Sequence, residues 1–200
     1  MSKKHSQNGV KGLIIGIILV CLVLGYYYYL SNRKTETKRE EDVKISAVQE
    51  VLMHNLDNNY PPTPREVVKY YCQITQCFYG ETYTEEEFKA LALKVRELYD
   101  DELVANNPLQ QYLENLRWDI EQLKEQGVVI SSYTPSSSTD VEEFKKDGFS
   151  WAKLYCTFNL RQGTQLVTTE EVFLLRKDED GHWKIYGWKL VDEAGQSDSE

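Results

Sequence analysis

The chain has 200 residues, of which 41% are hydrophobic and 12% aromatic, so it can bury a core and is not a largely disordered protein. Its 32 acidic residues outnumber 23 Lys and Arg, and the formal net charge of −9 excludes a nucleic-acid-binding protein that depends on a basic surface. The charge is uneven, because residues 1–45 carry 8 basic and 4 acidic residues (net +4) and residues 46–200 carry 15 basic and 28 acidic (net −13).

The first predicted element is a transmembrane helix at residues 12–30, which contains only apolar and aromatic residues and glycine. At about 1.5 Å per residue, this helix spans roughly 28 Å, close to the thickness of the hydrocarbon layer. Four consecutive tyrosines near its end, with no small-residue cleavage site after them, favour an uncleaved span over a signal peptide.

Residues 1–11 form a short basic tail before this span, and residues 31–59 are predicted to be a polar stalk with a weak helix. Positive charges are almost equal on the two sides of the span. Because the tail is short and a long domain can translocate largely regardless of its charge, we expect a single-pass protein of the cell membrane. Its carboxyl-terminal domain is expected outside the cytoplasm.

Three amphipathic helices are predicted next, each with polar start and stop signals. The predicted N-caps are Thr63, Thr84 and Asn107, and the predicted ends are Gly80, Asn106 and Gly127. Tyrosines take part in the apolar stripes of all three helices, at Tyr71, Tyr99 and Tyr112.

From Val128 the hydrophobic period changes from that of a helix to that of a strand. Strands are predicted at Val128–Thr134, Ser150–Arg161, Thr164–Lys177 and His182–Val191, and residues 193–200 form an acidic tail. The last three strands are predicted to form a meander of antiparallel hairpins. Helices followed by antiparallel strands indicate an α+β domain, with the helices on one face of the sheet.

The order of elements and the motif Asp-Gly-His-Trp-Lys-Ile at residues 180–185 resemble the nuclear transport factor 2-like (cystatin-like cone) superfamily over residues 60–192. The resemblance implies a curved antiparallel sheet, and a cone whose mouth holds a small molecule. Some members of that superfamily are isomerases, dehydratases or epoxide hydrolases, and many others only bind or assemble.

Two further resemblances concern the whole layout. Together with the segment at residues 60–68, the layout resembles small membrane-anchored proteins of unknown function from Gram-positive anaerobes. It is also similar in plan to the VirB8-like subunits of conjugation and secretion machines, which have a short inner tail, one span and an outer domain of this fold.

Few residues point to catalysis or to metal binding. The three histidines are far apart in the sequence, so no metal site is predicted, and no cofactor motif is present. Cys72 and Cys77 lie on different sides of one helix, whereas Cys72 and Cys156 can meet only if that helix crosses the strand. Whether these cysteines form a disulfide is left open.

Glu170 and Glu171 are adjacent on a predicted strand, so one of them points towards the helices. An inward carboxylate with a raised pKa is what a proton-transfer isomerase needs. A single glutamate without a partner in the sequence does not establish an enzyme, and no residue is assigned as catalytic.

The candidates for a ligand or partner surface are four large amphipathic side chains, which are Trp118, Tyr155, Tyr186 and Trp188. Tyr186 and Trp188 are expected on the same face of the last strand. The alternative is that all four fill the core.

The resulting hypothesis is a membrane-anchored, non-enzymatic binding or assembly module, attached through residues 12–30 and displayed outside the cytoplasm. Its expected partner is a small molecule, a second copy of the domain or an envelope protein. A small-molecule isomerase or dehydratase is one alternative, and a VirB8-like scaffold subunit is another. A pocket in which a carboxylate and a tyrosine hydroxyl lie within hydrogen-bonding reach of each other would favour the enzyme.

Overall fold

The computed structural model describes residues 45–191. The predicted basic tail, the transmembrane helix at residues 12–30 and the acidic tail at residues 193–200 lie outside the described residues. Among residues 45–191, no helix is both long enough and apolar enough to cross a bilayer.

The described residues form five α-helices followed by five strands, which confirms the α+β class. The helices are α1 (Ala47–Met53), α2 (Pro64–Gly80), α3 (Glu85–Glu97), α4 (Asp101–Asn106) and α5 (Leu109–Glu125). The strands are β1 (Val128–Pro135), β2 (Glu142–Lys146), β3 (Phe149–Gln162), β4 (Gln165–Lys177) and β5 (Trp183–Leu190), and a short 3-10 helix, Ser138–Asp140, precedes β2.

The strands form a single antiparallel sheet in which β3, β4 and β5 are consecutive neighbours, as the predicted meander requires. β1 and β2 lie along the same edge of β3, where β1 pairs with residues 156–162 and β2 with residues 149–153. β2 was not predicted. All five of its side chains are exposed, so its sequence lacks the apolar alternation that indicates a strand.

Two of the three predicted helix starts are confirmed. The Thr63 hydroxyl accepts a hydrogen bond from the Glu66 backbone N–H at 3.2 Å. At the start of α3 the capping box is complete, because Thr84 and Glu87 each accept a bond from the other's backbone N–H, at 3.2 and 2.8 Å.

The helix predicted from Thr84 to Asn106 is in fact two helices. The residues between them run beside β5, where the Leu98 carbonyl accepts from the Ile185 N–H at 2.8 Å and the Asp100 N–H donates to the Ile185 carbonyl at 2.9 Å. These bonds satisfy the edge of β5 and interrupt the helix. The Asp100 carboxylate then caps α4 by accepting from the Glu102 N–H at 3.0 Å.

The prediction that Asn107 caps α5 is wrong. Pro108 occupies the N-cap position of α5, and it has no side-chain hydrogen bond to that helix. The Asn107 amide instead donates backwards to the Leu103 carbonyl at 2.8 Å, where it satisfies an acceptor at the end of α4. Gly127, with φ of +67°, ends α5 in the left-handed conformation as predicted.

The core lies between the helices and one face of the sheet, and α2 is its centre. Cys72 of α2 and Cys156 of β3 are both fully buried, with their sulfur atoms 3.5 Å apart as free thiols. α2 therefore does cross β3. Val48 and Val51 of α1 are only 1% exposed and belong to this core, although the sequence placed them in the polar stalk.

Candidate functional site

The last strand contains a bulge that separates two of the predicted site residues. In the pairing of β4 with β5, Leu175 lies opposite Ile185 but Leu174 lies opposite Gly187, so Tyr186 is an extra residue on β5. An extra residue reverses the alternation of side chains beyond it. The prediction that Tyr186 and Trp188 share a face is therefore wrong.

Trp188 faces the helices. Its ring lies 5.5 Å from the rings of both Tyr71 and Tyr99 and 6.3 Å from that of Phe173, measured between centroids. It is still 38% exposed, so it lies where this layer of side chains reaches solvent.

Tyr186 lies on the opposite face of the sheet, in a group that we call the outer-face cluster. Its members are Asp100, Glu102, Phe149, Trp151, Arg176 and Tyr186. The Arg176 guanidinium donates to both Asp100 carboxylate oxygens, at 2.6 and 2.9 Å, and to Glu102 at 2.7 Å. It also lies 4.7 to 5.6 Å from the centroids of the rings of the three aromatic members.

The other two predicted residues lie elsewhere. Tyr155 is half-buried on the outer face of β3, where Lys153 lies 5.5 Å from its ring centroid. Trp118 is 61% exposed on α5. The four aromatic residues thus do not form one site.

The structure does contain a cavity of about 460 Å³ between the helices and the helix-facing side of the sheet. Helices α2 to α5 and strands β1, β3, β4 and β5 all contribute to its lining. Residues that matter for its chemistry are Tyr71, Tyr79, Tyr99, Asn107, Tyr112, Asn115, Asp119, Glu171 and Trp188. Of the predicted site residues, only Trp188 is among them.

Four tyrosines contribute phenol hydroxyls to this lining. Burial raises the pKa of Tyr79 and of Tyr112 to about 12, and it raises the pKa values of Tyr71 and Tyr99 well above 10. These phenols are therefore neutral at physiological pH. Each can donate as well as accept a hydrogen bond.

Glu171 provides the carboxylate on the sheet side of the cavity. It lies opposite Cys156 on β3 and Leu190 on β5, so its side chain shares the helix-facing side of the sheet. Within residues 45–191 the carboxylate has no hydrogen bond and no ion pair, and burial raises its pKa. It is the inward member that the Glu170-Glu171 pair predicted, since Glu170 is exposed.

A second carboxylate, Asp119, lines the cavity from α5, together with Asn115 one turn before it. Both residues are exposed, whereas Glu171 is half-buried. They form the rim of the cavity, and Glu171 lies deeper.

One group of side chains has the composition of a metal site. Ligand atoms of Asp178, Asp180 and His182, in the turn between β4 and β5, lie within 4.8 Å of one another. Asp178 already accepts from the His182 N–H at 2.7 Å, and the His182 ring stacks on Tyr60 at 4.4 Å. Because Asp178 and His182 are engaged in the turn itself, we assign no metal to this group.

A family model described as a domain of unknown function (DUF6715) matches residues 1–188. The chain belongs to this family. The search of curated proteins found no match to this DUF6715 chain.

The sequence does contain an indication of the cavity of this DUF6715 domain. Tyr71, Tyr99 and Tyr112 occupy stripe positions that aliphatic residues or phenylalanine would fill in a closed core. A phenol at such a position needs a polar partner or water, so three of them indicate a cavity. Gly187 within β5 was likewise a signal for the bulge.

Proposed function

We propose that this protein is a membrane-anchored, non-enzymatic module that binds a small molecule in the cavity beneath its sheet. The proposal includes a nuclear transport factor 2-like cone, an anchor at residues 12–30 and a domain held outside the cytoplasm. The observation that carries it is the cavity itself. Its volume of about 460 Å³ falls within the range of roughly 300 to 1,000 Å³ that small-molecule sites occupy.

The lining also has the composition of a ligand site. Aromatic and aliphatic side chains form most of the wall, and a few polar groups, among them Glu171 and Asn107, interrupt it. An apolar wall supplies affinity by burying the ligand, and the polar groups select its orientation.

The isomerase or dehydratase is the second candidate, and Glu171 favours it because its pKa is raised in the way a general base requires. Such a reaction also needs a donor that stabilises the developing oxyanion beside the base. No tyrosine hydroxyl in residues 45–191 hydrogen-bonds to Glu171 in this structure. The binding module stays the first proposal because it needs only the cavity and its lining, whereas the enzyme also needs a substrate oxygen held between Glu171 and a donor.

The binding proposal is tested on the full chain in maltoside micelles with a library of small soluble compounds, by ligand-observed NMR. Leu116→Trp should fill the cavity, because Leu116 is one of its lining residues on α5. Leu166→Trp makes the same change at a site on β4 that is 70% exposed and outside the lining. We expect compounds that bind the native chain and Leu166→Trp, and lose binding in Leu116→Trp. No binding, or equal binding to both variants, would refute the proposal.

The anchor and its orientation are tested separately by fusions after Glu200. Alkaline phosphatase should be active at this position and a cytoplasmic fluorescent protein should be dark. The reverse result would place the domain in the cytoplasm, and recovery of the chain in the soluble fraction would refute the anchor.

A further inference from the structure

We propose that the ligand of the cavity is an organic cation, in which a protonated or quaternary amine is attached to an apolar body. This inference rests on the proposed function, since it names the chemical class of the molecule that the cavity binds. Three features of the described lining support it: its charge, its rings and the isolation of its deeper carboxylate.

The charge of the lining is entirely acidic. Glu171 and Asp119 both contribute carboxylates, and none of the described lining residues is Lys, Arg or His. Arg96 lies beside this lining, but its guanidinium already donates to the Asn107 carbonyl at 2.6 Å and lies 5.4 Å from the Tyr112 ring centroid. An anionic ligand would therefore have no free counter-charge among the lining residues. Residues 46–200 carry a net charge of −13, so the surrounding field also attracts cations.

Four aromatic rings of the lining form one continuous group. Tyr71, Tyr99 and Trp188 lie within 5.5 to 6.5 Å of one another between centroids, and Tyr112 lies 6.1 Å from Tyr99. The Tyr112 ring already has the Arg96 guanidinium 5.4 Å from its centroid. The faces of such rings carry negative electrostatic potential, and tryptophan gives the strongest attraction. Trp188 is partly exposed, so a ligand can reach it.

The deeper carboxylate lacks the partner that buried charges usually have. A half-buried Glu171 without an ion pair in residues 45–191 costs free energy when it is ionised, and its raised pKa expresses this cost. A bound cation would supply the missing charge. Ligand binding would then be strongest where Glu171 is ionised.

The outer-face cluster also combines carboxylates with aromatic rings, and its cation is a side chain of the protein itself. There, two carboxylates and three rings surround the Arg176 guanidinium, with donor–acceptor distances of 2.6 to 2.9 Å. The cavity has two carboxylates and a set of rings, but no basic side chain among its described residues. By comparison with the outer-face cluster, the cation of the cavity would be supplied by a bound ligand.

The experiment measures binding to the full chain in maltoside micelles by isothermal titration calorimetry. The probes are choline and benzyltrimethylammonium, with 3,3-dimethylbutan-1-ol as the neutral isostere of choline and benzoate as an anion. Cation–π attraction and one carboxylate together predict that choline binds at least about tenfold more tightly than its isostere.

Glu171→Gln should weaken choline binding by about tenfold and leave the binding of the neutral isostere unchanged. Glu170→Gln is the matched control, because it removes the same charge from an exposed position on the adjacent residue. Trp188→Phe should weaken choline binding less than Trp188→Leu, since the first retains a ring. The two Trp188 variants therefore test the inference independently of Glu171→Gln.

The outcomes separate the two proposals. If the isostere or benzoate binds as tightly as choline, or if library compounds bind and neither cation does, the cation inference is wrong and the binding proposal stands. If Glu170→Gln weakens choline as much as Glu171→Gln, binding reflects surface charge and the inference is also wrong. If neither the library nor the cations bind, both proposals fail.

Discussion

The two faces of the sheet use the same kinds of side chain and differ in how their charges are compensated. On the outer face, Arg176 is 13% exposed and Asp100 is 5% exposed, and the two form a bidentate ion pair. On the helix-facing side, Glu171 is half-buried and has no ion pair within residues 45–191. The buried charges of the outer face are thus paired with each other, whereas Glu171 has no basic partner among residues 45–191.

This difference is what we expect if the outer face stabilises the fold and the helix-facing side has the proposed binding role. A paired buried charge cannot lose its partner without a large cost, so the outer-face cluster holds the edge of the sheet to α4. Glu171, which has no ion pair within residues 45–191, makes no such contribution to the fold. Functional sites are where local stability is typically given up.

The largest expected effect is on the outer face. Asp100→Ala should lower the free energy of unfolding by about 4 kcal/mol, because it leaves the Arg176 guanidinium poorly compensated and removes the cap of α4. Chemical denaturation of the full chain in micelles measures this change. Glu102→Gln is the control and should cost far less, since its carboxylate is 55% exposed. Equal losses in the two variants would mean that burial of the pair is unimportant.

A smaller difference is expected between one tryptophan of each face. Trp151 on the outer face is 9% exposed and Trp188 at the cavity is 38% exposed. Truncation to alanine should therefore cost about 3 kcal/mol at Trp151 and about 1–2 kcal/mol at Trp188. Only the Trp188 variant should lose choline binding. A larger loss of stability at Trp188 than at Trp151 would show that Trp188 is a core residue.

The sequence predicted the elements of this fold well and the relation between its two faces poorly. Caps at Thr63 and Thr84 and the alternation of β3 are local patterns, and each is confirmed. The interruption at Tyr99 and Asp100 depends on backbone bonds to Ile185, more than 80 residues away. Local periodicity contains no information on such a partner.

The residues of the site were harder to predict, because one extra residue at the bulge of β5 determines which face each later side chain occupies. Strict alternation along β5 places Tyr186 and Trp188 together, and the extra residue at the bulge moves them to opposite faces. One of the two thus joins Arg176 and the other joins the cavity. Glu171 was recognisable, since adjacent glutamates on a strand must face both ways.

The smallest expected effect is the pH dependence of stability that Glu171 introduces. Its pKa in the folded state is raised above the ordinary value of 4.5, so the folded state holds this proton more tightly than the unfolded state does. Stability is therefore lost as the pH rises from about 4.5 through the raised pKa. Glu171→Gln cannot ionise. Its melting temperature relative to the native chain should rise across that window and then remain constant.

Thermal melts between pH 4 and pH 8 measure this difference, with Glu170→Gln as the control that shows no such window. Saturating choline should reduce the difference in melting temperature between Glu171→Gln and the native chain at pH 8. The bound cation stabilises the native chain and binds Glu171→Gln only weakly. If Glu171→Gln instead becomes less stable than the native chain as the pH rises, Glu171 already has a cationic partner. The contrast between the two faces would then be incorrect.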